Sequence, residues 1–288
     1  MPIVAFATNA SGHLSSLLDD PHSIFTNASF VATDTDGRIA ITDADARKVW
    51  IVSADRTHAH PLEYAFDSPH GVAFDSEGRI LVADRKTQLI HIFNKDGTLL
   101  RGFGGRGSTI GCMYGPLGIA AAPDGTIYVT EGEGGRLQAF HADGTARWFY
   151  PHFSCPTAVA FDAAHNVLWA ADWTTGTVTA FEFHDAEHLR PRHTLPGFWR
   201  PHGLAVDSRG LLHVSDGKGY YIYERVADAD DSKDVQYLRI LEDERFAGPP
   251  FASGIAEAKN GDILVCHGPR VATIAPIQIA QRKENASE

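Results

Sequence analysis

An internal repeat limits what this 288-residue chain can fold into more than any other feature of the sequence. The two clearest copies, residues 68–84 and 200–216, each start with Pro-His-Gly and continue through an apolar stretch and a glycine turn to an aspartate. Four further copies start near Ala28, Pro116, Pro156 and Ala252. Because a repeat defines a structural frame, residues that depart from it are the first candidates for function.

Each copy has the pattern of four short strands joined by tight turns. A small, apolar strand is followed by a turn in which glycine supplies the positive φ that a hairpin needs. A second β-branched strand and an alternating third strand come next, and a turn such as Asp96-Gly97 or Asp143-Gly144 precedes a fourth. No window has a sustained helical period. The sequence therefore predicts an all-β fold, a six-bladed β-propeller with four-stranded antiparallel blades.

The repeat is continuous, so we expect one propeller domain over residues 1–288. Little sequence remains after the third strand of the sixth copy. We therefore expect the outer strand of that blade to come from the N-terminal residues 3–7, which would close the ring and remove its free sheet edges.

Composition restricts the classes of partner. The net charge of −11 argues against nucleic acid, because phosphate binding needs a basic surface. No apolar run approaches the length of a membrane span, which argues against a membrane partner. The N-terminus has no charged start followed by a long apolar segment, and three cysteines cannot all pair. These features predict a cytoplasmic protein.

In a propeller, the first strand of each blade starts on the same face at which the second strand ends. This rule places His70 and His202 on one face, on the second and fifth blades, which lie opposite each other in a ring of six. The second strands end in acidic residues in five copies, whereas the sixth ends in His267. The residues at these five ends are Asp43, Asp84, Glu131, Asp172 and Asp216. Imidazole is a preferred ligand of zinc and copper, and carboxylates suit calcium.

The sequence thus predicts a divalent metal, such as zinc, with copper or calcium as alternatives, on His70, His202 and His267. Arg200 would orient a substrate carboxylate, and Glu131 would act as general base. A structural interpretation stands beside this one. The two Pro-His-Gly imidazoles would then bond only to neighbouring backbone, and the aspartates that end the second strands would hold turns.

The second-strand and third-strand pattern, with Val-Ala-Asp followed by Ile-x-x-Phe-x-x-Asp-Gly, resembles the NHL repeat. The match is best in residues 69–103 and 116–149. Among propellers of this kind, the peptidyl-hydroxyglycine amidating lyases hold zinc with three histidines at such strand starts. His70 and His202 match that motif, while Thr157 and Ser253 stand on the alternate blades.

Two other propeller classes are relevant to function. The chain resembles streptogramin lyases in its Pro-His-Gly strand starts, although those enzymes have seven blades and a Trp-Phe-Thr second strand that this sequence lacks. Gluconolactonase-type propellers use Glu, Asn and Asp around calcium, and Glu131 corresponds in kind to only one of these. The resemblances imply a metal-dependent lyase or hydrolase acting on a small polar substrate. The alternative is a non-catalytic scaffold that binds a protein or a metabolite.

Overall fold

The computed structural model describes residues 4–5, 24–185, 188–227, 235–243 and 252–275. Within these ranges the chain forms strands and turns and contains no helix, so none of them holds a helix that could cross a membrane. The strands form six antiparallel sheets arranged as the blades of a propeller. The predicted fold class is confirmed.

The strands follow the repeat in chain order. The first blade contains β2 (Ala28–Thr33), β3 (Ile39–Asp43), β4 (Lys48–Val52) and β5 (His58–Pro61), with β1 (Val4–Ala5) at its outer edge. The second contains β6 (Pro69–Phe74), β7 (Ile80–Asp84), β8 (Leu89–Phe93) and β9 (Leu99–Gly104). The third contains β10 (Pro116–Ala121), β11 (Ile127–Glu131), β12 (Arg136–Phe140) and β13 (Ala146–Tyr150).

The remaining blades differ mainly in the length of their outer strands. The fourth contains β14 (Pro156–Asp162), β15 (Val167–Asp172), β16 (Thr177–Asp185) and β17 (His188–Pro196). The fifth contains β18 (Gly203–Val206), β19 (Leu212–Asp216), β20 (Gly219–Ala227) and β21 (Val235–Asp243). The sixth contains three described strands, β22 (Ala252–Glu257), β23 (Ile263–His267) and β24 (Arg270–Ile274).

The apolar core is divided among the junctions between blades. The described residues form six apolar clusters, each of which joins the facing surfaces of two neighbouring blades. The second strands are buried on both faces, as in β7 and β11, where all five residues are buried. Their near-continuous apolar sequence follows from this position between two layers of neighbours. Burial between blades therefore holds the ring together.

Neighbouring blades also approach closely around the central axis. The first strands lie side by side in ring order, and glycines occupy the same position in four of them: Gly71, Gly118, Gly203 and Gly254. A Cβ atom at Gly203 would lie 1.7 Å from the carbonyl oxygen of Ser253 in the next blade. The space left at the centre is a cavity of about 30 Å³ lined by these strands. The channel is thus nearly closed, and a ligand on the axis has to lie at one of its ends.

The expected closure by an N-terminal strand is not confirmed. Val4–Ala5 pairs with β5 on the first blade and not with β24 of the sixth. The first and sixth blades instead meet through a shared apolar cluster and through hydrogen bonds between their strands. The Ala28 amide donates to the Gly268 carbonyl (2.7 Å), and the Thr33 hydroxyl donates to the Glu257 carbonyl (2.5 Å). Among the described residues, side-by-side packing therefore joins the first and sixth blades, and no N-terminal strand pairs with β24.

Candidate functional site at the channel mouth

We call the face formed by the starts of the first strands and the ends of the second strands the mouth. Pairing between these strands places each second-strand end beside the start of a first strand, as in Pro69 with Asp84 and Pro156 with Asp172. His70 and His202 therefore lie on the mouth, on blades three steps apart in the ring of six. The sequence-based placement of both imidazoles on this face agrees with the strand register.

The aspartates at the second-strand ends hold the loops that lead into the first strands. Asp84 accepts hydrogen bonds from the amides of Asp67 (2.7 Å) and Ser68 (2.9 Å). Asp216 accepts from the amides of Trp199 (2.7 Å) and Gly219 (3.0 Å). Buried backbone amides need such partners, because an unpaired one is costly. These carboxylates stabilise the mouth and are not directed at a ligand.

Glu131, the predicted general base, has the same kind of position. Its carboxylate is fully buried and is bound by the Arg136 guanidinium (2.8 Å), the Gln138 amide (2.6 Å) and the Tyr114 backbone amide (2.8 Å). All three groups donate to it and so use three of the about four acceptor sites of the carboxylate in the folded chain. The contacts favour a structural role and give no support to the predicted role as a base.

His70 and His202 are the titratable groups of the mouth that remain suited to proton transfer. Nδ1 of His70 lies 3.0 Å from the Ser68 carbonyl, to which it can only donate, and this tautomer leaves Nε2 as a proton acceptor. Burial lowers the pKa of His70 and also that of His202. For His202, the Arg200 guanidinium lowers the pKa further, while the Arg200 carbonyl opposes the shift. Both imidazoles are therefore neutral at pH 7.

Arg200 stands directly before the second of these histidines in an unusual backbone conformation. Its φ of 60° lies in the left-handed region, and the equivalent residue of the third blade is a glycine, Gly115, with a φ of 63°. Its guanidinium lies over the rings of Trp173 (4.5 Å) and Trp199 (5.0 Å). Among the residues that the structure describes, it has no carboxylate partner. The result is a cation held in place by two indoles with its hydrogen-bond donors available.

Two other mouth residues are less suited to chemistry. Arg85 forms an exposed ion pair with Glu133 (2.9 Å), so its charge is already balanced. Cys155 is half-buried, and burial, assisted by the charge of Asp172, raises the pKa of its thiol. A thiol with a raised pKa is a weak nucleophile and a weak metal ligand at neutral pH. Cys155 thus contributes shape to the mouth more than reactivity.

The predicted metal ligands do not come together as a set. Across the described ranges, no three His, Cys, Asp or Glu side chains are arranged to hold a metal ion. His267 pairs with Ala252 at the place in the sixth blade where other blades have their loop-holding carboxylates. Burial and the Arg270 guanidinium lower its pKa. The donor set of the described residues does not fit a three-histidine centre, so the metal stays a prediction from the sequence.

The sequence predicted most residues of the mouth but not the contacts that hold the Arg200 side chain. Its cation–π contacts join Trp173 of one blade to Trp199 of the loop before the next, and they depend on the tertiary structure. One signal was nevertheless present in the repeat. Gly115 precedes the proline of the third blade where Arg200 precedes that of the fifth, and an arginine where glycine suits the backbone indicates a role for the side chain.

Comparisons with known proteins agree with the fold. The NHL-repeat model matches residues 66–93, which cover the first three strands of the second blade. A gluconolactonase from Xanthomonas campestris is 21% identical with a TM-score of 0.67, and the match covers 94% of this chain and 96% of that one. A streptogramin B lyase is 16% identical with a TM-score of 0.61, covering 86% and 93%.

A virginiamycin B lyase from Staphylococcus aureus is 17% identical with a TM-score of 0.59, covering 88% of this chain and 86% of that one. No curated protein matches the sequence. At these identities the structural matches show a shared propeller fold, and the resemblance to the NHL repeat that the sequence suggested is confirmed in the second blade. Function has to be argued from the mouth itself.

Proposed function

We propose that the protein is a lyase or hydrolase that binds a small anionic substrate at the mouth of the propeller. The observation that carries this proposal is Arg200, a guanidinium without a described carboxylate partner, held by two indoles beside His202. An unpaired, pre-oriented guanidinium is suited to a carboxylate, which it can bind through two parallel hydrogen bonds. The nearly closed channel keeps the ligand at this surface.

The backbone conformation of Arg200 adds to the argument. A non-glycine residue in the left-handed region costs about 1–2 kcal/mol. Strain of this kind persists only where the surroundings enforce it, and it is concentrated at functional sites. The conformation directs the side chain back over Trp173 and Trp199. The arrangement pre-organises the anchor before substrate arrives, which reduces the entropy lost on binding.

Proton transfer falls to the neutral imidazoles. An imidazole with a lowered pKa is unprotonated at pH 7 and can accept a proton from a substrate carbon or from a water molecule. His202 lies next to the anchor in the chain, and His70 faces it from the opposite blade. A substrate bound to Arg200 would place its reacting atoms near His202. Removal of a proton from the carbon next to a carboxylate leads to elimination where the β carbon carries a leaving group, which departs as the double bond forms. Activation of water leads to hydrolysis, in which the water oxygen adds to an ester or lactone carbonyl and the C–O bond to the alcohol breaks.

The structural neighbours give this proposal its reaction class. Among them are a gluconolactonase and streptogramin-type lyases, whose reactions are hydrolysis and elimination. Another neighbour is a catalytically inactive His-to-Ala variant of virginiamycin B lyase with quinupristin. A propeller histidine is thus essential in that enzyme. We propose the same kind of role for the two mouth histidines of this chain, His70 and His202.

The test uses lactones and carboxylate-bearing esters, with product formation followed by NMR, on the wild type and on matched variants. We expect Arg200→Gln to lower kcat/KM by about 10- to 100-fold, the worth of a charge-assisted hydrogen bond. Arg85→Gln is the control, because it removes a mouth guanidinium that is already paired. His202→Asn should abolish turnover and retain binding. Equal losses of kcat/KM in Arg200→Gln and Arg85→Gln would refute the role of Arg200 in binding the substrate carboxylate.

The alternative is a scaffold that binds a metabolite or a protein without turnover. Apart from the predicted metal, every feature of the mouth, including the free guanidinium, would suit this role as well. The same experiment separates the two. A carboxylate that binds in an Arg200-dependent manner, with no product and with no effect of His202→Asn, would establish the scaffold and exclude the enzyme.

A further inference from the structure

A second concave site lies at the end of the propeller opposite the mouth, between the third and fourth blades. It is a cleft of about 530 Å³, a volume within the range of small-molecule sites. The turns that follow β10 and β14, together with the end of β16, form its rim. Residues lining it include Asp124, Tyr128, Arg147, Phe161, Phe183 and Asp185. None of these belongs to the mouth.

Aromatic rings form the floor of this cleft. Tyr128 and Phe161 stack with centroids 5.8 Å apart and planes inclined by 27°, and Phe183 lies 6.2 Å from Tyr128. Phe161 and Phe183 are only partly buried, so the cleft exposes aromatic surface. Burial, reinforced by Asp124, raises the pKa of Tyr128, and its phenol therefore remains neutral. A neutral aromatic floor beside carboxylates favours a positively charged planar group.

The repeat shows what such a floor accommodates elsewhere in the same molecule. Phe74 in β6 pairs with Ile80, and Phe161 in β14 has the equivalent pairing with Leu168 in the fourth blade. The Arg38 guanidinium of the preceding blade lies 5.2 Å from the Phe74 ring centroid. It also donates to the Gly78 carbonyl (3.0 Å) and the Lys95 carbonyl (2.7 Å). At the junction of the first two blades, the chain itself supplies the cation.

The corresponding arginine is missing at the junction of the third and fourth blades. Arg38 follows Gly37 in the turn between β2 and β3, and the same position after Gly125 is Thr126. An amide-to-carbonyl bond of 3.0 Å closes both turns, but Asp34, which forms an ion pair with Arg38 (2.7 Å), is replaced by Ala122 in the third blade. A threonine is too short to cover Phe161. The cleft is therefore the place where an arginine side chain would otherwise lie.

A local extension of the fourth blade enlarges the same place. Strands β16 and β17 each have nine residues, whereas β8 of the second blade has five. The additional length forms a hairpin that contributes Phe183 and Asp185 to the wall of the cleft. Clefts at two other junctions on this end have 270 and 200 Å³, and no Phe, Tyr or Trp lines either of them.

We propose that this cleft is a second ligand site that binds a small molecule through a guanidinium or a comparable planar cation. The group would stack on Phe161 as Arg38 stacks on Phe74, and the Asp124 carboxylate would balance its charge. Arg147 donates to the Thr126 hydroxyl (2.8 Å) at the rim, and Asp185 is paired with His188 (2.8 Å), so these two residues limit the size of the site. The site is independent of the proposed reaction at the mouth.

The experiment measures binding of butylguanidinium by NMR titration of the full chain, with butylurea as an uncharged probe of the same shape. We expect the cation to bind at least about tenfold more tightly than the urea. Phe161→Leu, which keeps an apolar side chain but removes the ring, should weaken binding about tenfold. Thr126→Arg should abolish it, because the new side chain would occupy the cleft. Melting curves show whether each variant is folded.

A reciprocal variant makes the test independent of damage to the cleft. Arg38→Thr should uncover Phe74 and create a butylguanidinium site in a chain that also carries Phe161→Leu. The proposal is overturned if butylurea binds as well as butylguanidinium, or if Phe161→Leu binds as the wild type does. No detectable binding up to about 10 mM probe, an affinity too weak to use, would also overturn it. Binding to an arginine-containing peptide alone would replace the small molecule with a protein partner.

Discussion

A single added methyl group at Gly203 should destabilise the whole propeller. A Cβ atom there would lie 1.7 Å from the Ser253 carbonyl oxygen and 2.5 Å from the Ser215 hydroxyl. The first of these is about 1.3 Å short of the 3.0 Å limit that real Cβ contacts respect. Because the obstacle is backbone of the next blade, no rotation of a side chain can relieve the contact. The first strands of the fifth and sixth blades would have to separate.

The expected cost follows from two terms. Overpacking of this kind costs about 1–3 kcal/mol and sometimes more. The Ser215 hydroxyl donates to the Ser253 carbonyl (2.6 Å), and losing that hydrogen bond adds about 1 kcal/mol. The sum is about 3 kcal/mol. For a chain of this size, each kcal/mol lowers Tm by about 2–4 °C, so Gly203→Ala should melt about 10 °C lower.

The assay is thermal and denaturant unfolding, with Gly102→Ala as the matched control. Gly102 lies in the outer strand β9, where an added Cβ would meet its nearest atom, Nδ1 of His91, at 3.4 Å. That contact is ordinary, and the control should change stability by less than about 1 kcal/mol. If Gly203→Ala melts within a few degrees of Gly102→Ala, the blades are not as close around the axis as described.

Three further predictions concern the mouth. Glu131→Gln should lower the free energy of unfolding by about 3 kcal/mol, because it leaves the buried Arg136 guanidinium without its counter-charge. A variant as stable as the wild type would again allow Glu131 to be the general base. Because the pKa values of His70 and His202 are lowered in the folded chain, the unfolded chain binds protons more readily, and the free energy of unfolding should fall as pH drops below 6.5. His70→Asn should make this fall with pH less steep, and an unchanged pH dependence would contradict the burial of His70. Cys155 should react with iodoacetamide at pH 7 more slowly than a free thiol, as measured by mass spectrometry in a Cys112→Ser background, and rapid labelling would exclude the raised pKa.

The fold was predictable because the repeat contains redundant information. Six copies of the same hairpin signals agree, so an error in one copy does not change the architecture. The pairing of the N-terminal strand could not be predicted in this way, because it occurs only once and is not part of the repeat. Whether residues 3–7 pair with the sixth blade or the first depends on which sheet edge is accessible after the ring has formed. Pairing of Val4–Ala5 with β5 is therefore a tertiary result that no local pattern encodes.

The position of the site could be predicted from the sequence, but the roles of its residues could be predicted less well. The repeat placed His70 and His202 on one face, and the register agrees. Glu131 looked unusual as the only glutamate in a series of aspartates. The extra methylene of its side chain instead extends a buried network to Arg136 and Gln138, which a sequence cannot show because those partners follow from burial. Whether a carboxylate is available for chemistry is decided by its donors.

Two residues that depart from the repeat, Arg200 and Thr126, indicate ligand sites for different reasons. Arg200 has a left-handed backbone that only glycine, Gly115, shares at the equivalent positions before Pro69, Pro116 and Pro156, so the chain accepts strain to place a guanidinium at the mouth. Thr126 removes a guanidinium that another junction keeps over its phenylalanine, so the chain gives up a stabilising contact and exposes an aromatic ring. Both changes act against local stability, and selection for folding alone would not retain them. Arg200 and Thr126 are for this reason stronger indicators of ligand sites than the mouth histidines. A mouth histidine can also have a structural role, as His70 does in its hydrogen bond to the Ser68 carbonyl.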